Sequence, residues 1–221
     1  MGVDLPARAV LVSSMNDVST RAPARGTKSL TLPNILTYAR IAAIPVVVGC
    51  IFAQSILGGP LSLRWVALAV FIAAAITDFL DGYYARIWDQ HSAFGRMLDP
   101  IADKLLVASC LLMLAADGII HGWTLWAAIV ILCREILVSG LREYLAALRV
   151  SLPVTKLAKW KTTVQLVAIG FLLAGDAGDE VLPYTTQIGL ILLWISALVT
   201  MYTGYDYFRA GIHHLIEEDS R

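Results

Sequence analysis

Charged residues are scarce in this sequence, and neither sign is in excess. Only 15% of the 221 residues are charged, and 17 Lys and Arg balance 17 Asp and Glu. The composition therefore offers no excess positive charge to attract nucleic acid. Hydrophobic residues make up 58% of the chain, which is more apolar material than a soluble domain of this size usually holds. An integral membrane protein is indicated.

Cysteine is also rare. Cys50, Cys110 and Cys133 all lie inside apolar runs, and neither their spacing nor their setting suggests a zinc site or a disulfide framework. Residues 1–28 are largely polar and contain no apolar stretch long enough for a secretory signal. We expect this segment to be a disordered cytoplasmic tail.

Long apolar segments fill the remainder of the chain. Six stretches come close to the roughly 20 residues that a helix needs to cross a bilayer, at about 35–54, 62–86, 97–117, 123–147, 157–175 and 185–208. The connections are short, and neither a second domain nor an internal repeat is apparent. The prediction is an all-α integral membrane fold, a six-transmembrane-helix bundle over residues 29–211, followed by a polar tail at 212–221.

The distribution of basic residues predicts the orientation of this bundle. With the amino end inside, the outer loops fall at about 55–61, 118–122 and 176–184, and Arg64 is the one basic residue of the 17 that lies near the outer side. Because Lys and Arg accumulate in cytoplasmic loops, we expect both termini and the aspartates between residues 78 and 103 to face the cytoplasm. The expected location is a bacterial-type inner membrane.

Four aspartates occupy the run from Ile76 to Lys104. Asp78 and Asp81 share one helical face, and Asp99 and Asp103, four residues apart, share a face of the next helix. The polar stretch at about 87–97 reads as the turn between them, so an antiparallel pair would bring the four carboxylates together. Such a cluster, without Cys or His, favours hard cations such as Mg²⁺, Mn²⁺ or Ca²⁺. The pattern predicts a two-metal site.

Three further residues on the first of these faces indicate the substrate. Gly82 and Ala85 lack bulk and leave room for a flat group against the helix. Arg86 is suited to paired hydrogen bonds with a phosphate. We expect a phosphorylated substrate with a small planar head.

These residues resemble the signature of the CDP-alcohol phosphatidyltransferase family. The match comprises Asp78-x2-Asp81-Gly82-x2-Ala85-Arg86-x8-Gly95-x3-Asp99-x3-Asp103. The resemblance implies that two Mg²⁺ or Mn²⁺ ions are bound, with Asp78 and Asp99 contacting both ions. It further implies that Asp81 contacts the first ion and that Asp103 contacts the second and acts as general base. In this family the phosphatidyl group of CDP-diacylglycerol passes to an alcohol, and CMP leaves.

The same resemblance implies further contacts to the CDP-lipid. A polar stripe opens the first span at Asn34, Thr37 and Arg40, and the family reading places this stripe beside the CDP moiety. Helix capping and snorkelling would also explain the stripe. The resemblance implies that four further residues contact the CDP moiety: Gly82, Ala85, Arg86 and Ser92. The assignment of Ser92 depends only on its position, six residues after Arg86. The family also suggests a homodimer.

The fourth span carries charged side chains far from its ends, where a charge is costly unless it is paired or has a function. Arg134 lies about 12 residues into the span, and Arg142 follows eight residues later on roughly the same face. Because sequence neighbours point apart on a helix, we do not expect Arg134 to pair with Glu135. An anion pocket and ion pairing between helices both remain open for these charges.

Lysines cluster before the fifth span, at Lys156, Lys159 and Lys161. Positive-inside anchoring explains most lysines in such a position, although the cluster can also draw an anionic substrate toward the aspartates. Together with the fourth span, this segment is similar to the phosphatidylglycerophosphate synthase branch of the family. That branch implies sn-glycerol 3-phosphate as acceptor, and the candidates for binding its phosphate are Arg134, Arg142, Lys156 and Lys159.

Three alternative functions make different demands on the sequence. Another acceptor, such as inositol phosphate, inositol or serine, would use the same scaffold. A phospholipase-D-type cardiolipin synthase is disfavoured, because none of the four histidines begins a His-x-Lys motif. An ion-coupled transporter would place acidic groups near the bilayer centre, whereas these aspartates fall at the ends of predicted spans.

Overall fold

A computed structural model describes residues 32–88, 93–147 and 156–219 of the chain. Within these ranges the chain forms six helices joined by short connections, which confirms the all-helical prediction. The helices are α1 (Leu32–Ser55), α2 (Ser62–Trp88), α3 (Ala93–Ala116), α4 (Thr124–Ala147), α5 (Lys156–Val181) and α6 (Thr185–Asp219).

Glycine ends or bends two of these helices. α3 stops at Ala116, and Gly118 follows with φ of +80°, a left-handed conformation that a residue without Cβ adopts at little cost. The Ile120 N–H then donates to the Leu114 carbonyl at 3.0 Å and closes the helix end. In α5, Gly175 has φ 45° and ψ −131° and kinks the helix near its carboxyl end.

One hydrophobic core runs through the bundle. Its fully buried side chains come from all six helices, among them Ile51, Phe71, Leu114, Ile131 and Leu172. The helices pack along each other most extensively in the pairs α5–α6 and α1–α2, while α6 also contacts α4 and α3 contacts α1. The chain is therefore one packed unit in the described ranges.

Three of the helices are long and apolar enough to cross a membrane. In the part of the chain that the structure describes, these segments are Ile35–Ser55, Thr124–Ala146 and Thr185–Tyr205. Many large apolar side chains on the bundle surface are exposed, including Leu112, Trp126 and Leu198. An apolar exterior around an apolar core is what a bilayer requires of a helical protein.

The antiparallel helix order separates two ends of the bundle. The first end collects the amino-terminal halves of α1, α3 and α5 with the carboxyl-terminal halves of α2, α4 and α6, and it contains Asp78, Asp99 and Asp103. At the opposite end, Arg64 of α2 forms a buried ion pair with Asp117, just after α3. The one basic residue expected near the outer side is thus paired and buried.

Asp179 organises the turn into α6 at this opposite end. Its Oδ2 accepts a hydrogen bond from the Thr186 hydroxyl at 2.6 Å, and its Oδ1 accepts one from the Thr186 backbone N–H at 3.2 Å. These bonds hold the pKa of Asp179 below its ordinary value. They also satisfy a donor at the start of α6 that the helix itself leaves unpaired.

Candidate active site

The polar stripe of α1 contacts two of the predicted metal-binding aspartates. The hydroxyl of Thr37 donates a hydrogen bond to Asp99 Oδ1 of α3. Three residues further along α1, the Arg40 guanidinium pairs with Asp78 of α2, with 2.9 Å between Nη1 and Oδ1. Both α1 side chains are only 1% exposed. α1 thus ties together the two helices that carry the aspartate signature.

Asp103 lies within electrostatic range of charges on four other helices. Its carboxylate interacts with Asp78 on α2, Arg40 on α1, Glu135 on α4 and Lys161 on α5. The structure therefore places Asp78 of α2 and Asp103 of α3 in one charged region. The same region includes charges of α4 and α5.

Several predicted site residues fall outside this description. The backbone of α2 includes positions 81, 82, 85 and 86, and the backbones of α1 and α5 include positions 34, 156 and 159. The side chains at these positions, and residue 92 as a whole, lie outside the described residues. They are Asn34, Asp81, Gly82, Ala85, Arg86, Ser92, Lys156 and Lys159.

The donor set suits hard divalent ions in its chemistry. Asp78, Asp99 and Asp103 offer carboxylate oxygens alone, which Mg²⁺ and Mn²⁺ accept as ligands, and the side chain of Asp78 remains 40% exposed. Among the side chains that the structure describes, no three acidic, His or Cys groups are close enough to hold an ion by themselves. The fourth aspartate of the signature, Asp81, is not among those side chains.

A second group of charges connects α4 with its neighbours. Lys161 of α5 donates a hydrogen bond to Glu135 Oε1 and is only 3% exposed. Arg134 approaches the same Glu135 oxygen at 3.6 Å and donates to the Thr203 hydroxyl of α6 at 3.0 Å. One carboxylate is therefore flanked by two cations.

This group corrects one expectation from the sequence. Arg134 and Glu135 do form an ion pair, because their long side chains bend toward each other although their Cβ atoms point apart. Lys161 is a buried partner of Glu135, so membrane anchoring does not describe it. The sequence contains both partners, a lysine near the start of α5 and a carboxylate deep in α4. Only the packing of α5 on the bundle shows that these two side chains pair.

Lys104 was also missed, although it follows Asp103 directly. Its ammonium donates a hydrogen bond to the Ser139 hydroxyl of α4, and the Ser139 hydroxyl lies 3.4 Å from Glu143 Oε1. Arg142, one of the predicted phosphate contacts, is exposed on the same helix. A second polar link thus joins α3 to α4 at the aspartate end of the bundle.

The resulting site has an acidic part beside a basic part. Aspartates of α2 and α3 suit cations that neutralise phosphates, while the arginines of α4, Arg134 and the exposed Arg142, are side chains of the kind that bind anionic groups. Asp103 carries a carboxylate in the same charged region.

Comparison with known proteins agrees with this geometry. Residues 30–202 match the family model described as CDP-alcohol phosphatidyltransferase. A CDP-diacylglycerol–glycerol-3-phosphate 3-phosphatidyltransferase of Rickettsia bellii is 47% identical over 179 residues, which cover 81% of this chain and 94% of that protein. The protein of the same name from Cereibacter sphaeroides is 40% identical, over 85% of this chain and 98% of its own. A CMP-forming cardiolipin synthase of Oryza sativa is 38% identical, over 82% of this chain and 57% of that protein.

Proposed function

Because the chain belongs to the CDP-alcohol phosphatidyltransferase family, we propose that it transfers the phosphatidyl group of CDP-diacylglycerol to sn-glycerol 3-phosphate. The products are phosphatidylglycerophosphate and CMP, within phospholipid biosynthesis. The relatives with 40–47% identity bear the name of this reaction. The observation that carries the proposal is that α1 contacts both helices of the aspartate signature, through Thr37 to Asp99 and through Arg40 to Asp78.

Two divalent ions, Mg²⁺ or Mn²⁺, are part of this proposal. Asp78 and Asp99 would contact both ions, Asp81 the first and Asp103 the second. When bound, such ions neutralise the charge of the diphosphate and of the leaving CMP. The protein would then contribute Asp103 as the group that receives the proton of the acceptor hydroxyl.

Four basic residues are proposed to bind the phosphate of the acceptor: Arg134, Arg142, Lys156 and Lys159. The side chain of Arg142 is exposed and lies on the same helix as Arg134. A phosphorylated alcohol would gain charge-assisted hydrogen bonds from these cations, whereas serine or unphosphorylated inositol would not. This difference would favour glycerol 3-phosphate over neutral acceptors.

The CDP moiety is proposed to lie along α2. Gly82 and Ala85 would give it room, and Asn34, Arg86 and Ser92 would add polar contacts. Thr37 and Arg40 would serve the same pocket through the aspartates that they contact. The acyl chains of the lipid would remain among the exposed apolar side chains of the bundle, in the bilayer.

A location for the enzyme follows from this arrangement. All six helices are proposed to cross a bacterial-type inner membrane, with both termini and the aspartates on the cytoplasmic side, where a water-soluble acceptor and CMP have access. The scarcity of basic residues at the Arg64 end supports this orientation. A homodimer is proposed as the assembly.

An acceptor panel tests the proposed reaction. Purified protein in detergent is incubated with CDP-diacylglycerol, Mg²⁺ and one alcohol at a time, and CMP release is measured. The alcohols are glycerol 3-phosphate, inositol phosphate, inositol, serine and phosphatidylglycerol, the last because of the cardiolipin-forming relative. We expect turnover with glycerol 3-phosphate, abolished by EDTA and restored by excess Mg²⁺ or Mn²⁺.

Two results would contradict the proposal. Turnover with inositol phosphate but not with glycerol 3-phosphate would refute the acceptor, while leaving the family assignment in place. Divalent-cation flux through protein-containing liposomes, without CMP release under any condition of the panel, would favour transport over transfer.

A further inference from the structure

We infer that α1 is a positioning element for the ion site, in which Thr37 and Arg40 fix the carboxylates of Asp99 and Asp78 before any ion binds. This inference rests on the proposed function, because it concerns the aspartates assigned to the ions. It gives the two α1 residues a role different from direct contact with the substrate.

Burial supports this role. Thr37 and Arg40 are each 1% exposed, whereas the side chain of Asp78 is 40% exposed. A ligand that approaches from the solvent therefore meets the carboxylate of Asp78 before the guanidinium behind it. Residues that lie behind a ligating group and hydrogen-bond to it commonly orient that group.

These contacts are compatible with ion binding. Thr37 donates to Oδ1 of Asp99, and Arg40 Nη1 lies 2.9 Å from Oδ1 of Asp78. Each carboxylate has two oxygens with about four lone-pair positions in all, so a contact to one oxygen does not prevent that carboxylate from binding a cation. The Arg40 charge also offsets the repulsion between carboxylates that would otherwise oppose an ion-free cluster.

The spacing along α1 explains why one helix can serve two others. Thr37 and Arg40 are three residues apart and therefore lie one above the other on the same face. That face meets α3 through Thr37 and α2 through Arg40. The relative positions of Asp78 and Asp99, which belong to different helices, are thereby set by one rigid element.

Thr37→Val tests the inference without a change of charge. Mn²⁺ binding to purified protein in detergent is measured by electron paramagnetic resonance, in the absence of any substrate. Removal of a group that orients a metal ligand typically costs about 10–100-fold in metal affinity, and we expect a loss in that range. Thr37→Ser keeps the hydroxyl and should bind Mn²⁺ nearly as well as the natural chain.

Thr77→Val is the matched control. Thr77 directly precedes Asp78, but its hydroxyl donates within its own helix, to the Ala74 carbonyl at 2.7 Å. The same substitution is thus made next to the aspartates without removing a contact to them, and Mn²⁺ affinity should not change. Thermal unfolding in EDTA reports whether each variant is folded, and Thr37→Ala replaces Thr37→Val if the branched side chain prevents folding.

The outcomes separate this inference from the proposed function. Wild-type Mn²⁺ affinity in a folded Thr37→Val or Thr37→Ala variant overturns the positioning role, even if CMP release by the natural chain establishes the reaction. Equal losses in the Thr37→Val, Thr37→Ser and Thr77→Val variants would also overturn it. A natural chain that binds Mn²⁺ but releases no CMP refutes the reaction alone, and a natural chain that binds no Mn²⁺ refutes both.

Discussion

Asp117→Asn removes the negative charge that balances Arg64 at the end of the bundle opposite the aspartate site. The Arg64 side chain is 1% exposed, that of Asp117 is 5% exposed, and Arg64 Nη2 pairs with Asp117 Oδ2. The other two guanidinium nitrogens, Nε and Nη1, have no hydrogen-bond partner among the described residues. The variant would leave a buried guanidinium without a counter-charge.

The expected cost follows from this burial. Breaking a buried ion pair by removing one partner typically costs about 3–5 kcal/mol. For a chain of about 200 residues, 1 kcal/mol shifts the melting temperature by roughly 2–4 °C, so the Asp117→Asn variant should melt ~6–20 °C lower. Removing both charges, in Arg64→Met with Asp117→Leu, should recover most of the loss because no charge remains buried.

Thermal unfolding in detergent, followed by circular dichroism, measures these shifts. The KM for glycerol 3-phosphate serves as a control. Asp78 lies 14 residues from Arg64 along α2, which is ~21 Å at 1.5 Å per residue, so KM should not change below the melting temperature. A single variant that melts like the natural chain, or a double variant that is less stable than the single one, would refute the reasoning.

Three further variants address the site and the kink. Asp103→Asn should lower kcat by about 10²–10⁴-fold, the usual contribution of a general base, while CDP-lipid binding persists; unchanged turnover in the CMP assay would exclude that role. Arg142→Ala should raise the KM for glycerol 3-phosphate by about 10–100-fold, because a hydrogen bond to a charged group contributes ~1.5–3 kcal/mol, with little effect on the KM for CDP-diacylglycerol. Equal effects on both constants would contradict an acceptor role. Gly175→Ala should destabilise the fold by about 2–5 kcal/mol, since φ is +45° and the new Cβ would lie 2.5 Å from Arg64 Nη1. Gly49→Ala, with no atom within 4 Å of the new Cβ, is the control in thermal unfolding and should not lose stability.

Local patterns predicted the helices well. The six apolar segments correspond to α1 through α6, because an apolar run of about 20 residues has few alternatives to a helix in a bilayer. The predicted boundaries differ most at the ends of α5 and α6, which continue to Val181 and Asp219. Apolar content locates the span within the hydrocarbon, whereas a helix can extend beyond it into water.

The aspartate signature was equally visible, because each pair of acidic residues lies within one helix, where the period of 3.6 residues determines the shared face. The contacts of Thr37 and Arg40 were not visible. They join residues 62 and 38 positions apart, and the rotation of α1 against α2 and α3 depends on how the side chains of three helices interlock.

Lys161 shows the same division. Its position in a cluster of three lysines suggested an exposed anchor, since a charge run at the start of a span usually faces water. The packing of α5 in the bundle instead buries it against Glu135. No local pattern contains that information, because the partner belongs to another helix.

The sequence by itself therefore determined the membrane class, the helix order, the family and the faces that carry the aspartates. All of these depend on composition or on spacing along the chain. Only the tertiary structure decided which polar side chains meet, in the pairs Thr37–Asp99, Arg40–Asp78, Lys161–Glu135 and Arg64–Asp117. The physical reason is that contacts between helices depend on their relative rotation and depth, which the packing of the whole core determines.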